Sequence, residues 1–174
     1  MPKKIADHAE RESTPSAIAA QPPKNTRRTA REQAFALLFE LSFHPGASVA
    51  ELLANAGEAP ADLPAAQDPS AAEPIRALPV EANALRTAET AVAHLEALDE
   101  LITKHLRGWK LGRISRVSLA LLRLAACELL YFDEIPTGAS INEAVELAKL
   151  YGDEDAPRFI NGVLGSIARA GENA

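Results

Sequence analysis

The stretch ISRVSLALLRLAACELLY, Ile114 to Tyr131, decides how this chain folds. Val117, Leu119, Leu121, Leu122, Leu124, Ala125, Leu129 and Leu130 cover most of the circumference of a helix. A surface helix needs only one apolar stripe, whereas one that is apolar nearly all round must be covered by neighbours. This segment is therefore expected at the centre of the molecule, with Ile135-Pro136 breaking it.

The flanking sequence supplies helices to cover it. Thr26 or Thr29 can cap a helix to about Phe43, whose apolar face contains Phe35, Leu38 and Phe39 at steps of three and four. His44-Pro45-Gly46 ends it, and Ser48 can cap a short helix to about Asn55. From Val80 to about Leu106 the helical pattern is long, and a bend or break is expected near Ala93. Gly108 and Gly112 bracket Trp109 in a turn. Ser140-Ile-Asn-Glu143 reads as a capping box for a helix ending at Gly152. Asp155 is expected to cap the last helix, with Pro157 in its first turn and Ile160, Val163, Leu164 and Ile167 inward. Gly162 within it is expected to let the central helix approach closely.

No segment shows a strand pattern. The fold class is all-α, a compact bundle of about seven helices around a buried central helix, spanning residues 26–171 as one domain. Residues 1–25 lack periodicity and are expected to be a disordered tail. Gly57 to Pro79, with prolines at 60, 64, 69, 74 and 79, is expected to be a mobile surface loop.

Composition removes several function classes. The single cysteine, Cys127, permits no intramolecular disulfide and lies in an apolar run, as a small buried hydrophobe does. His8, His44, His94 and His105 show no metal-ligand spacing with each other, with Cys127 or with carboxylates. Neither a catalytic constellation nor a phosphate-cradling glycine loop is present, since Gly162 and Gly165 fall inside a helix. Asp153, Glu154 and Asp155 read as a helix cap rather than a cation site. No catalysis, metal or cofactor is expected. There is neither a membrane span nor a signal-peptide core, so a cytoplasmic location is expected.

Charge is the informative signal. The chain carries -6 overall, yet residues 1–31 carry a net +4. Lys24, Arg27, Arg28 and Arg31 form a run without acids at the start of the first helix. Bases there oppose the helix dipole, which points either to an external anion such as phosphate, for which arginine is suited, or to an ordinary solvated tail.

Four segments carry a family resemblance: RRTAREQAFALLFEL (Arg27–Leu41), LLRLAACELLYFDEIP (Leu121–Pro136), INEAVELAKLYG (Ile141–Gly152) and FINGVLGSIA (Phe159–Ala168). Together, over about residues 27–43 and 80–170, they resemble the NusB transcription antitermination factors. The resemblance implies two small helical bundles sharing the central helix. It implies binding of single-stranded boxA RNA from ribosomal RNA operons together with NusE, a small-subunit ribosomal protein. It further implies assembly with other Nus factors on the elongating RNA polymerase. Carried over by position, Arg27, Arg28 and Arg31 at the start of the first helix and Phe159, preceded by Asp155, at the start of the last belong to the RNA-binding surface, with Lys24 and Arg158 counted in it as neighbouring bases. Phe159 would offer a ring for base stacking, the other reading being a core residue against the central helix. Phe39 and Ser118 are the candidates for contact with a protein partner. The chain departs from the pattern at Thr29, where a base is common, at Cys127, where many members have Tyr, and at Ala156-Pro157-Arg158, which replaces a more polar turn. Two other readings are a homodimeric interaction module and an RNA-targeting module related to the domain that precedes some rRNA methyltransferases.

Overall fold

The computed structural model describes residues 26–55 and 80–172. The expected tail at 1–25 and the expected loop at 57–79 lie outside the described residues, as does Lys24. Among the described residues seven α-helices follow in order: α1 (Thr26–Leu41), α2 (Val49–Asn55), α3 (Ala82–Ala93), α4 (Leu95–His105), α5 (Arg116–Tyr131), α6 (Thr137–Tyr151) and α7 (Ala156–Glu172). A single 3-10 turn, Leu111–Arg113, lies between α4 and α5, and no strand occurs among the described residues.

The central helix is α5. From Val117 to Glu128 every residue except Leu119 is buried. Around it, α1, α2 and α3 pack together on one side and α4, α6 and α7 on the other, while α1, α3, α4, α6 and α7 all touch α5. The fold is thus two helical groups that share one helix. Coverage stops short of the end of α5, because Leu130 is 46% exposed and Tyr131 36%. The expectation that Leu130 faces inward is corrected accordingly.

Local sequence fixes the element ends. Ser115 caps α5, its Oγ accepting the Ser118 N–H at 3.1 Å. His94 alone separates α3 from α4, closing the first and opening the second with φ -115° and ψ 21°. Its ring stacks on Tyr131 at 4.3 Å and 17°. The break expected near Ala93 is therefore a one-residue corner held against the last turn of α5. Arg123 then ties α4 to α5 by two parallel bonds to Asp99, of 2.8 and 2.7 Å.

Two local expectations are overturned. The capping box expected at Ser140–Glu143 is absent, because α6 begins at Thr137 after Pro136 and Ser140 is already inside the helix and buried. A reciprocal box forms instead at α2: Ser48 Oγ accepts the Glu51 N–H at 3.3 Å, and Glu51 Oε2 accepts the Ser48 N–H at 2.7 Å. Gly162 is exposed, and a Cβ built on it would meet nothing within 4 Å, so it permits no close helix approach. The glycine that does is Gly152, where a Cβ would lie 2.6 Å from the Ala156 Cβ and 2.7 Å from the Ala148 carbonyl oxygen.

Candidate nucleic-acid interface

α1 lies antiparallel to α5: Arg31, near its start, bonds Glu128 late in α5, and Phe43, just past its end, lies under Arg116 at the start of α5. This places the basic run of α1 where α5 ends and α6 begins. Arg27 is exposed. Arg28 is 41% exposed, with its Nε 3.5 Å from Glu32 Oε1 one turn on. Arg31 differs from both. Its Nε donates to Glu128 Oε1 at 2.8 Å, and the two side chains are only 14% and 3% exposed. Glu128 Oε2 is buried and has no hydrogen-bond partner. Arg31 is thus held inward against an α5 carboxylate, while Arg27 and Arg28 face solvent. Arg27 and Arg31 border a cleft of about 460 Å³ that also takes in Arg86, Glu134 and Glu143.

Burial raises the Glu32 carboxyl above its ordinary value, with Arg28 opposing the shift. Burial likewise pushes the Tyr151 phenol up to about 12, with the Glu32 charge adding and Arg28 subtracting. Arg28 and Glu32 of α1 are therefore electrostatic neighbours of Tyr151, the last residue of α6, and the Phe35 ring lies 5.2 Å from that of Tyr151.

At the start of α7, Asp155 and Arg158 are exposed. The Asp155 carbonyl accepts the Phe159 N–H at 3.0 Å, so Asp155 stands where the helix is capped. Phe159 is half-buried and packs on the core. Its outer neighbour is Trp109, whose ring centroid lies 6.0 Å away at 58°. No hydrogen bond or ion pair among the described residues joins Arg27, Arg28 or Arg31 to Asp155, Arg158 or Phe159.

The NusB family model matches residues 28–169. The chain belongs to the NusB family. A transcription antitermination protein NusB from Bacillus subtilis is 40% identical over 141 residues, covering 81% of this chain and 93% of that protein. The protein of the same name from Desulfovibrio desulfuricans is 39% identical over 150 residues, covering 85% and 87%. Among solved structures, T. maritima NusB superposes with a TM-score of 0.64 at 32% identity, covering 84% of this chain and 92% of that one. A chain from a crystal structure of the antitermination factors NusB and NusE in complex with dsRNA gives 0.65 at 29% identity, covering 83% and 96%. The NusB family is one of non-enzymatic transcription antitermination factors.

In this NusB-family chain the two residues expected at a protein partner, Phe39 and Ser118, are both 4% exposed. Phe39 lies in a ladder of rings with Phe35 and Phe43 along α1. The Ser118 N–H is taken up by the cap of α5. Neither side chain is presented on the surface. Among the described residues no helix is long and apolar enough to cross a membrane, and no group of three or more His, Cys, Asp or Glu is arranged to hold a metal. Trp109, expected only to sit in a turn, lies within the run His105–Arg116, which has four Lys or Arg residues and no acid.

Proposed function

We propose that this protein is an RNA-binding antitermination factor that takes up boxA-type single-stranded RNA of ribosomal RNA operons jointly with NusE. In this reading the pair joins other Nus factors on the cytoplasmic RNA polymerase elongation complex and suppresses termination. The observation that carries it is the likeness, over 96% of its length, to a chain solved with NusE and dsRNA, the single-stranded boxA form being what the family resemblance adds. The exposed Arg27 and the half-buried Arg28 on an otherwise acidic protein support it, since phosphate contacts supply the sequence-independent part of RNA affinity. Arg27 and Arg28 would hold phosphates at the start of α1, and Arg158 at the start of α7. Arg31 would act indirectly, by fixing α1 on α5.

The test is titration of a boxA RNA against the purified chain alone, NusE alone and the two together, over a range of salt. The pair is expected to bind more tightly than either protein. The double variant Arg27→Ala, Arg28→Ala should bind more weakly and lower the slope of log K against log salt by roughly 1.4, at about 0.7 for each phosphate no longer neutralised. Equal affinity and slope for variant and wild type would remove the RNA site from the start of α1. Binding of the pair no tighter than of either protein would remove NusE.

A further inference from the structure

The turn joining α4 to α5 reads HLRGWKLGRISR, His105 to Arg116. Arg107, Lys110, Arg113 and Arg116 are all exposed, and none of them enters an ion pair among the described residues. Exposed Arg158 at the start of α7 is likewise without one. By contrast, two of the three arginines of α1 are engaged by Glu32 and Glu128. Among the described residues, more bases without an ion pair therefore lie at the α4–α5 turn than on α1, Arg116 being the one that lies over the Phe43 ring.

In the middle of that turn stands Trp109. At 57% it is the most exposed large apolar side chain among the described residues. Gly108 before it has φ +77°, a conformation that a side chain would strain, and this turns the backbone at the base of the indole. The ring is backed by Phe159, 6.0 Å away at 58°, which is half-buried and packed on the core. An aromatic ring left in water forgoes favourable burial. Here the indole is set on a firm aromatic seat, with one part in solvent and cations on either side in sequence.

We propose that Trp109 is a stacking platform for a base of single-stranded RNA, with Lys110, Arg113 and Arg158 taking the adjoining phosphates and Phe159 supporting the indole from behind. The proposal rests on the RNA-binding reading above and adds to it a contact segment on α4–α5. The chemistry selects single-stranded nucleic acid. Alternation of an exposed ring with unpaired bases matches a ligand in which flat rings alternate with anions, and every nucleobase has a face to stack. Asp153, Glu154 and Asp155, just before α7, carry charge that repels phosphate.

Trp109 is the only tryptophan of the chain, so indole emission reports on this site alone. Emission is followed while the full chain is titrated with end-labelled boxA RNA, whose anisotropy gives binding independently. Polyphosphate serves as an anion without bases. RNA should quench Trp109 and polyphosphate should not. Trp109→Ala should weaken RNA binding roughly five- to 150-fold, the range for loss of one stacked base, and Trp109→Phe should restore most of it. The Trp109→Ala variant should keep the wild-type circular dichroism and melting temperature, because the side chain is mostly in solvent. Lys110→Ala with Arg113→Ala should lower the salt slope by roughly 1.4 while leaving the quench in place. RNA bound at full affinity by Trp109→Ala, with wild-type emission unmoved, overturns the platform and leaves the functional reading standing. Equal quenching by polyphosphate also overturns it, and so does a response to NusE without RNA. If the wild-type chain, with NusE present, takes up no RNA, the functional reading falls as well.

Discussion

Arg31 illustrates what a single residue can conceal. In the sequence it is one of four bases in a short run. In the fold its guanidinium closes on Glu128, a carboxylate only 3% exposed on the central helix. Removing one member of such a pair leaves the other buried and uncompensated, which costs about 3–5 kcal/mol, whereas replacing both by apolar residues of similar volume is often neutral or stabilising. Arg31→Ala should therefore lose about 3 kcal/mol or more in urea unfolding, and Arg31→Met with Glu128→Met should recover most of it. A single variant as stable as the wild type would show that the pair does not hold α1 to α5. It follows that Arg31→Ala is a poor probe of RNA contact, since weakened binding and weakened folding would look alike. The positive charge of the run was legible in the sequence, but a partner so distant along the chain was not. The same limit applies to Trp109 and Phe159: both rings are visible as letters, and only packing decides which faces water.

At the scale of the helix, the sequence was read best where several residues agree. The apolar face of α1, the buried circumference of α5 and the inward row Ile160, Val163, Leu164 and Ile167 of α7 each rest on repeated spacing, and the fold has them buried or packed on the core. Helix ends depend on one or two residues, and there the neighbouring elements decide which of them caps. Ser48–Glu51 and Ser140–Glu143 have the same spacing, but only the first forms a box. Pro136 starts α6 one turn before Ser140, so that serine has no free amide to serve. The two glycines differ in the same way. Gly152→Ala should destabilise, because the new methyl would meet the Ala156 Cβ and the Ala148 carbonyl oxygen well inside contact distance. Gly162→Ala faces open space on a helix interior and should stabilise by up to about 1 kcal/mol. Thermal melts of the two variants should move in opposite directions, and a shift of the same sign would contradict the packing described for the α6–α7 turn.

At the scale of the molecule, α5 belongs to both helical groups, so titration of groups buried around it acts on the stability of the whole. Burial and the neighbouring Glu128 charge push the Cys127 thiol up to about 12 from an ordinary 9.0. Tyr151 is pushed up to about 12 from 10.0. Above pH 9 the unfolded chain releases a thiol proton that the native chain keeps, and above pH 10 a phenol proton as well. The unfolded state then binds fewer protons, so stability falls as pH rises through this window and is unaffected by these two groups below it. The melting temperature followed by ellipticity should decline from pH 9 upward, and Cys127→Ala should delay the onset towards pH 10. A flat profile to about pH 11 would show that neither group is as sheltered as the packing indicates. The indole of Trp109 stands apart from this cooperative interior. Since it already meets solvent in the native protein, denaturation changes its surroundings little. A shallow emission trace on heating is then the signature of a well-packed protein whose only bright chromophore lives outdoors, and should not be taken for looseness.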